Sequence, residues 1–594
     1  MVSERDEIDE SYKWDLEQLF ESDEEWEKNF EKAREEIEEL ERFEGRVTES
    51  AETLKEFLKL REELKRTVTD LNSYASKRYD EDTRRDEYQA LKSRASTLAS
   101  ELSSKLSFFE PEVQEAGRER IQELMQQEEE LQEYRHFFDD LLRFKPHTRS
   151  KEVENVLANL GDVLDAPDTA YKALMNADMT FPVVEDPEGE EVEITQSNFT
   201  KLLREEDREF RREVYEKFYD EIEEVSNTVA ANFEKNIRRN VKIARIRDFE
   251  SARKASLFQN NVPEEVYDNL VGTVEDNLDA LHRHVELKEK VLDVDDIGHH
   301  DLYMPLATSE SPEISYGDAK RHVIEAVEPL GEEYQEAMRN GIESGWIDVY
   351  ENRGKRSGAY SSSTYDSQPY ILMNYQDDVS SMYTLAHELG HSMHSYLSKK
   401  EQPYIYYNYS IFVAEVASTV NEALLTRHLL ESAESEELKR HALSHYLENF
   451  TNTLYRQTMF ADFEQQVHDE VEEGGALTSE SLNQRYSDLK QKFLKPVEMD
   501  DEIKKEWMRI PHFYYNFYVY QYATGISAAE TLVEKILNEG PEDYLDFIRT
   551  GSSEYPLDAL KIAGVDMTEP EPVEEAIKRY RQKLERAEDL FRIR

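Results

Sequence analysis

The stretch "LAHELGHSMH", Leu385 to His394, carries two histidines four residues apart, with a glutamate directly after the first. Four residues make about one helical turn, so on a helix His387 and His391 share a face. Two imidazoles placed that way can both reach one Zn2+ at about 2.0–2.1 Å. Glu388 then points beside the metal, where it can take a proton from water. A catalytic zinc also needs a third protein ligand and one open position. His394 lies about 10 Å beyond His387 along the axis, too far to share a metal held by His387 and His391. Packing, or support of a ligand, is its expected role. Glu415, in "YSIFVAEVASTVNEALLTRHLL", is a lone carboxylate in an apolar, small-residue run without an evident salt-bridge mate. A buried carboxylate needs a partner or a metal, which makes Glu415 the expected third ligand to a single Zn2+. Glu422, seven residues further along the same face, is a candidate acceptor for an N–H of a ligating imidazole. A surface position is nevertheless more natural for Glu422 than for Glu415.

These groups work only if held in place. Asp377 or Asp378 can cap a helix running through "VSSMYTLAHELGHSMHSYLSKK". Leu385, Leu389, Met393 and Leu397 form a stripe along it that should face a core. Just upstream, "GWIDVYENRGKRSGAYSSSTYDSQPYILMNYQ" offers short strands near Trp346–Tyr350, Gly358–Ser362 and Tyr370–Asn374. The last is a candidate to pair with an extended peptide as an added strand. "MTFPVVEDPEGEEVEITQ" reads as a hairpin about Asp-Pro-Glu-Gly. Most of the rest reads as helix, from about 23 to 130 and again from Asp378 almost to the end, with only 19 Gly and 17 Pro to interrupt it. No strict heptad persists, so a bundle is expected and not a coiled coil. The fold class is mainly α with a small β-sheet beside the histidine helix. The expected regions are 1–110, N-terminal and helical; 111–195, a helical linker ending in a hairpin; and 196–594, the domain carrying the site.

Composition narrows the function. At 594 residues the chain exceeds one compact core. It has no cysteine, which excludes disulfides, thiolate ligands and cysteine nucleophiles. No run of about 18 apolar residues suits a membrane, and the charged start "MVSERDEIDESYKWDLEQLF" lacks an apolar signal segment, so a cytoplasmic protein is expected. Asp and Glu number 131 against 73 Lys and Arg, a net charge of −58. That repels nucleic-acid phosphates. Because the carboxylates are spread along the whole chain, the charge reads as adaptation to a salty solvent more than as a docking face for a basic partner.

At these residues the chain resembles the oligoendopeptidase F group of the thimet-oligopeptidase-like zinc metallopeptidases. The resemblance rests on "HELGHSMH", "FVAEVASTVNEALL" and "GKRSGAYSSSTYDSQPYILMNY", and extends to "YKWDLEQLF" and "IPHFYYNFYVYQYATGISAA", so it covers nearly the whole chain. It implies two helical lobes around a deep channel that admits short unstructured peptides. It also implies that His512, Tyr515, Tyr518 and Tyr522 contact the peptide backbone and the developing oxyanion, with Tyr514 and Tyr520 as further candidates. The implied reaction is hydrolysis of internal peptide bonds, with Glu388 as general base. A zinc carboxypeptidase, which needs a cation such as Arg356 or Arg509 for the substrate carboxylate, and a non-catalytic acidic scaffold are the alternatives.

Overall fold

Helices begin where the sequence supplies caps. Ser22 and Ser50 accept the backbone N–H groups of Glu25 and Thr53 at 3.3 and 3.1 Å and start the helices Asp23–Ile37 and Ala51–Glu81. In the longer one Leu54, Phe57, Leu58, Leu64 and Leu71 recur at helical spacing and are fully buried, each contributing about 2 kcal/mol through the area it removes from water. The computed structural model describes residues 2–308 and 311–592, and it is mainly helical. No helix among the described residues is long and apolar enough to cross a membrane.

Strands are few and short. β1 (Val183–Glu185) and β2 (Glu191–Glu193) form the expected antiparallel hairpin. β3 (Ile347–Asp348), β4 (Tyr360–Ser362) and β5 (Tyr370–Leu372) make the small sheet, in the order β3-β5-β4. β5 is therefore central: parallel to β3, antiparallel to β4. Both its edges are taken, so the expectation that Tyr370–Asn374 pairs with a peptide is wrong. The continuous apolar run "YILM" marks a strand buried on both faces, and the outer positions of the sheet belong to β3 and β4.

The chain divides into two compact units. The first comprises Met1–Pro146, Glu313–Leu425 and Lys535–Gly564; the second comprises His147–Pro312, Thr426–Glu534 and Val565–Arg594. In the first unit the N-terminal helices share one apolar core with Tyr370 and Leu372 of β5. A buried ionic cluster adds to it: Arg5 meets Glu81 at 2.8 Å and Asp348 at 2.6 Å, and Lys355 meets Asp348 at 2.7 Å. The second unit is built of long helices, including Ser226–Ile246, Leu278–Val291, Ser479–Phe493 and Glu571–Leu590. Its Glu436–Phe450 and Arg456–Glu472 helices are joined through a π-turn, Thr451–Tyr455.

Candidate metal centre and active site

Asp378 caps the helix Val379–Glu401, accepting the Ser381 N–H at 2.7 Å. Asp377, the other candidate cap, lies just outside with φ +53°. Leu385, Leu389, Met393 and Leu397 are all buried, as their spacing predicts. This anchors the helix by one face and turns His387 and His391 the other way. The helix Ile411–Ser432 packs across it. A Cβ built on Gly390 would lie 2.5 Å from the Ser418 Cα and 2.7 Å from the Ala417 carbonyl oxygen, so only glycine permits this approach. Asn421 secures the contact by donating to the Ala386 carbonyl at 3.3 Å.

The close approach brings Glu415 to the histidines. His387 Nε2 and His391 Nε2 are 3.2 Å apart, and Glu415 Oε2 is 3.4 and 3.5 Å from them. A tetrahedral ion with bonds of about 2.0–2.1 Å has ligand atoms about 3.3–3.4 Å apart, so this nearly equilateral triangle fits one face of a zinc tetrahedron. On the far side of His387, Nδ1 meets Glu422 Oε1 at 2.6 Å. With its hydrogen held there, Nε2 presents a lone pair toward the triangle. The two glutamates reverse their expected exposure: the Glu422 side chain is 13% exposed and that of Glu415 35%. A carboxylate that only orients a histidine can be sealed in, whereas one that faces an open coordination position cannot.

The local electrostatics favour a cation. Burial pushes the His387 pKa down, but the hydrogen bond to Glu422 and the charges of Glu422, Glu415 and Glu388 outweigh it and carry it up to about 9. Burial raises the Glu388 carboxyl, with His387 and His391 pulling it back only partly. Its buried Oε2 has no protein partner, as suits a base awaiting water. His394 belongs to the core: it is buried, stacks on Tyr409 with ring centres 3.6 Å apart, and is pushed by burial to a pKa of about 3. At the edge of the sheet, Ser361 of β4 shares a hydrogen bond of 2.8 Å with Ser392 of the histidine helix. Arg356, one of the cations considered for a substrate carboxylate, meets Asp80 at 3.3 Å.

In the second unit the four aromatic candidates form one cluster. His512 lies 5.7, 6.3 and 6.0 Å from Tyr515, Tyr518 and Tyr522, ring centre to ring centre. Tyr514 and Tyr520 point elsewhere: Tyr514 stacks on Tyr171 at 4.4 Å and Tyr520 packs on Tyr267 at 5.3 Å, both buried. The change of direction falls at Asn516 and Phe517, consecutive non-glycine residues with φ of +44° and +54°. Such backbone is costly and must be held by its surroundings. Ser256 donates to the Asn516 carbonyl at 2.8 Å, and the Phe517 N–H donates to Glu464 Oε1 at 2.5 Å. Glu464 is fully buried, and burial raises its pKa to about 8. Sequence reading missed it, yet Glu464 sits among Phe460, Phe463 and Val467, the same carboxylate-on-an-apolar-face signal that singled out Glu415.

Three outcomes follow, two for the metal centre and one for Glu464 in the second unit. Zinc analysis after dialysis is expected to show low occupancy for Glu415→Ala and near-normal occupancy for His394→Ala, although the latter loses about 2–4 kcal/mol of stability. Gly390→Ala is expected to weaken zinc binding at least tenfold by separating the two helices, although it touches no ligand. Normal zinc affinity in that variant would show that the helix contact does not set the triangle. For Glu464 the sign is fixed by its raised pKa. Between pH 4.5, its ordinary value, and about 8, the unfolded chain releases a proton that the folded chain keeps, so stability falls as pH rises and levels off above 8. Thermal unfolding of Glu464→Gln at pH 5 and pH 8 is expected to lack this decline, on the order of a few kcal/mol; identical profiles would exclude Glu464 as its source.

The peptidase family M3 profile matches residues 201–579, and an oligopeptidase F profile matches residues 112–181. The chain is 44% identical over 540 residues to oligopeptidase PepF of Bacillus subtilis, covering 90% of this chain and 81% of that one. It is 39% identical over 594 residues to the group B oligopeptidase PepB of Streptococcus agalactiae, covering 99% of each. The crystal structure of oligoendopeptidase F from Enterococcus faecium superposes with a TM-score of 0.74 at 35% identity, covering 96% of this chain and all of that one. The chain thus belongs to peptidase family M3, as a metallopeptidase among its oligoendopeptidase F members.

Proposed function

We propose that the protein is a zinc-dependent endopeptidase that cuts internal bonds of short, unstructured oligopeptides in the cytoplasm. The observation that carries this reading is the His387–His391–Glu415 triangle, sized for one Zn2+, beside a buried Glu388 with a free carboxylate oxygen. Zinc, when bound, polarises a peptide carbonyl and acidifies water. Glu388 takes the proton of the attacking water and returns it to the leaving amine, and its raised pKa suits both halves of that transfer. Glu422 keeps His387 in the ligating tautomer. His512, Tyr515, Tyr518 and Tyr522 supply hydrogen-bond donors to the peptide backbone and the developing oxyanion. β4, an edge strand beside the histidine helix, offers main-chain pairing in place of the central β5. Backbone pairing gives affinity with little side-chain preference, which suits a broad oligopeptide substrate class.

Glu388→Gln is expected to keep its zinc and lose hydrolysis by at least a hundredfold, because an amide cannot accept the proton. Turnover within about tenfold of the parent would remove Glu388 as the base. Peptides blocked at both ends should be cut, and a stably folded protein spared. Cleavage confined to peptides with a free C-terminus would mark a carboxypeptidase instead.

The surface charge is proposed to be salt adaptation. Carboxylates such as Glu24, Glu35, Glu38 and Glu39 are exposed on the solvent faces of the first helices. Their repulsion is unscreened at low ionic strength, where the Debye length is about 30 Å at 0.01 M, and suppressed at 1 M, where it is about 3 Å. Unfolding temperature and activity should both rise as KCl goes from millimolar to molar. Equal stability and activity at the two extremes would refute the adaptation.

A further inference from the structure

The second unit carries a partly open cavity of about 470 Å³, and none of the metal-centre residues lines it. Its wall carries five basic side chains, Arg204, Lys288, Arg456, Lys490 and Arg509, against two carboxylates, Glu448 and Glu506. In a chain of net charge −58, an inward excess of positive charge calls for an explanation. Glu506 is fully buried and is shared by Arg456 and Lys490, each at 2.6 Å, and by the Tyr486 hydroxyl at 2.5 Å. Glu448 faces Arg204 at 3.6 Å. Lys288 is buried and reaches only the carbonyls of Leu302 and Met304, at 2.7 Å each. Arg509 lies over the rings of Phe199 and Phe218 at 4.9 and 5.2 Å, and its Nε has no hydrogen-bond partner.

Two buried imidazoles belong to the same wall. His299 is 1% exposed and neither of its ring nitrogens has a partner. His284 is 2% exposed; its Nδ1 lies 2.7 Å from the Tyr580 hydroxyl, and its Nε2 has none. Burial keeps both neutral, so they offer hydrogen bonds without further charge. The π-turn Thr451–Tyr455 contributes Thr451, Asn452 and Tyr455 to the same wall, and single π turns within helices are frequent at functional sites. Water can satisfy the imidazoles, but among the described residues Lys288 and Arg509 have no carboxylate at ion-pair distance. Glu448 and Glu506 act on them only from further off, and burial lowers the Lys288 pKa, which an anion placed beside it would restore. The wall also carries neutral polar side chains such as Thr200, Asn452 and Gln457. Its apolar part is made by Leu281, Val285, Met459, Phe460 and Phe493.

We propose that this cavity binds a small organic anion, a carboxylate carried on an apolar body, through Lys288, Arg509 and the free nitrogens of His284 and His299. The carboxylate could come from a free organic acid or from the C-terminus of a short peptide; the chemistry of recognition is the same. His512 also contributes to the wall, so the site abuts the aromatic cluster, but the binding itself does not depend on the peptidase reading.

The test is calorimetric titration of the zinc-loaded full chain at fixed KCl with 4-phenylbutyrate, its uncharged amide, and the dipeptide Leu-Phe. The acid should bind at least tenfold more tightly than the amide, equally well in the parent and in Glu388→Gln. Arg509→Gln should lose at least tenfold of that affinity and Arg509→Lys much less. If Leu-Phe binds more tightly than phenylbutyrate and this preference survives in Glu388→Gln, a peptide terminus is the natural source; the reverse order identifies a free acid. Because the Arg509 variants could fold poorly, crystals of the parent soaked with 4-(4-bromophenyl)butyrate provide a second measurement. Anomalous bromine density inside the cavity supports the site. Equal affinity for acid and amide, bromine found only elsewhere, or a cavity holding water alone at saturating probe overturns it.

Discussion

Everything at the metal centre depends on one helix contact. His387 and His391 can be placed by a single helix, because their spacing matches its turn. Glu415 cannot; it comes from a separate helix that must approach until the backbone at Ala417 and Ser418 touches the Gly390 Cα hydrogens. A glycine inside a helix costs about 1 kcal/mol against alanine. Here that cost is offset by a triangle of three ligand atoms with sides of 3.2 to 3.5 Å. The buried leucine stripe opposite resists rotation of the helix, so the histidines cannot turn away to relieve the crowding.

Charge then sorts the carboxylates that this geometry gathers. Glu388, Glu415 and Glu422 surround two imidazoles, and their joint effect is to make His387 far more basic than an ordinary buried histidine. Unpaired, three carboxylates so close would repel. Their differing burial separates their roles. Glu422 is sealed against Nδ1, Glu415 is half open, and Glu388 is buried with one oxygen unused. Burial raises the Glu388 pKa and the adjacent histidines pull it back in part, which suits the general-base role proposed for it.

Periodic features are legible in the sequence and contacts between distant segments are not. The capped helix, its leucine stripe, the hairpin, the short strands and the shared face of His387 and His391 follow from spacing and residue type. Glu415 is marked only by being a lone carboxylate in an apolar run, which singles out the residue but not the contact that brings it in. Strand order is not legible either: nothing in "YILMNY" says which neighbours flank it, and the expectation of a free edge fails against β3. Sequence ranks the exposure of Glu415 and Glu422 backwards, because an apolar neighbourhood along the chain does not say which side a helix leaves open. Gly390 and Glu464 each carry a signal, a glycine inside a helix and a carboxylate on an apolar face, but each acts on a partner remote in sequence. Within "PHFYYNFYVYQYATG" no period separates Tyr515, Tyr518 and Tyr522 from the core tyrosines, because the turn at Asn516 and Phe517 resets the direction of the chain.

The same composition also produces two electrostatic regimes that should not be confused. Exposed carboxylates on the first helices interact through water and respond to salt. Buried groups respond far less: Glu506, held well below the usual carboxylate range despite its burial by Arg456 and Lys490, is already paired with both at 2.6 Å. Raising the ionic strength therefore relaxes the exterior without loosening the interior clusters around Asp348 and Glu506. The proposed salt adaptation is compatible with this division, because the carboxylates that hold the interior, Asp348 and Glu506, are separately protected by burial and by named partners.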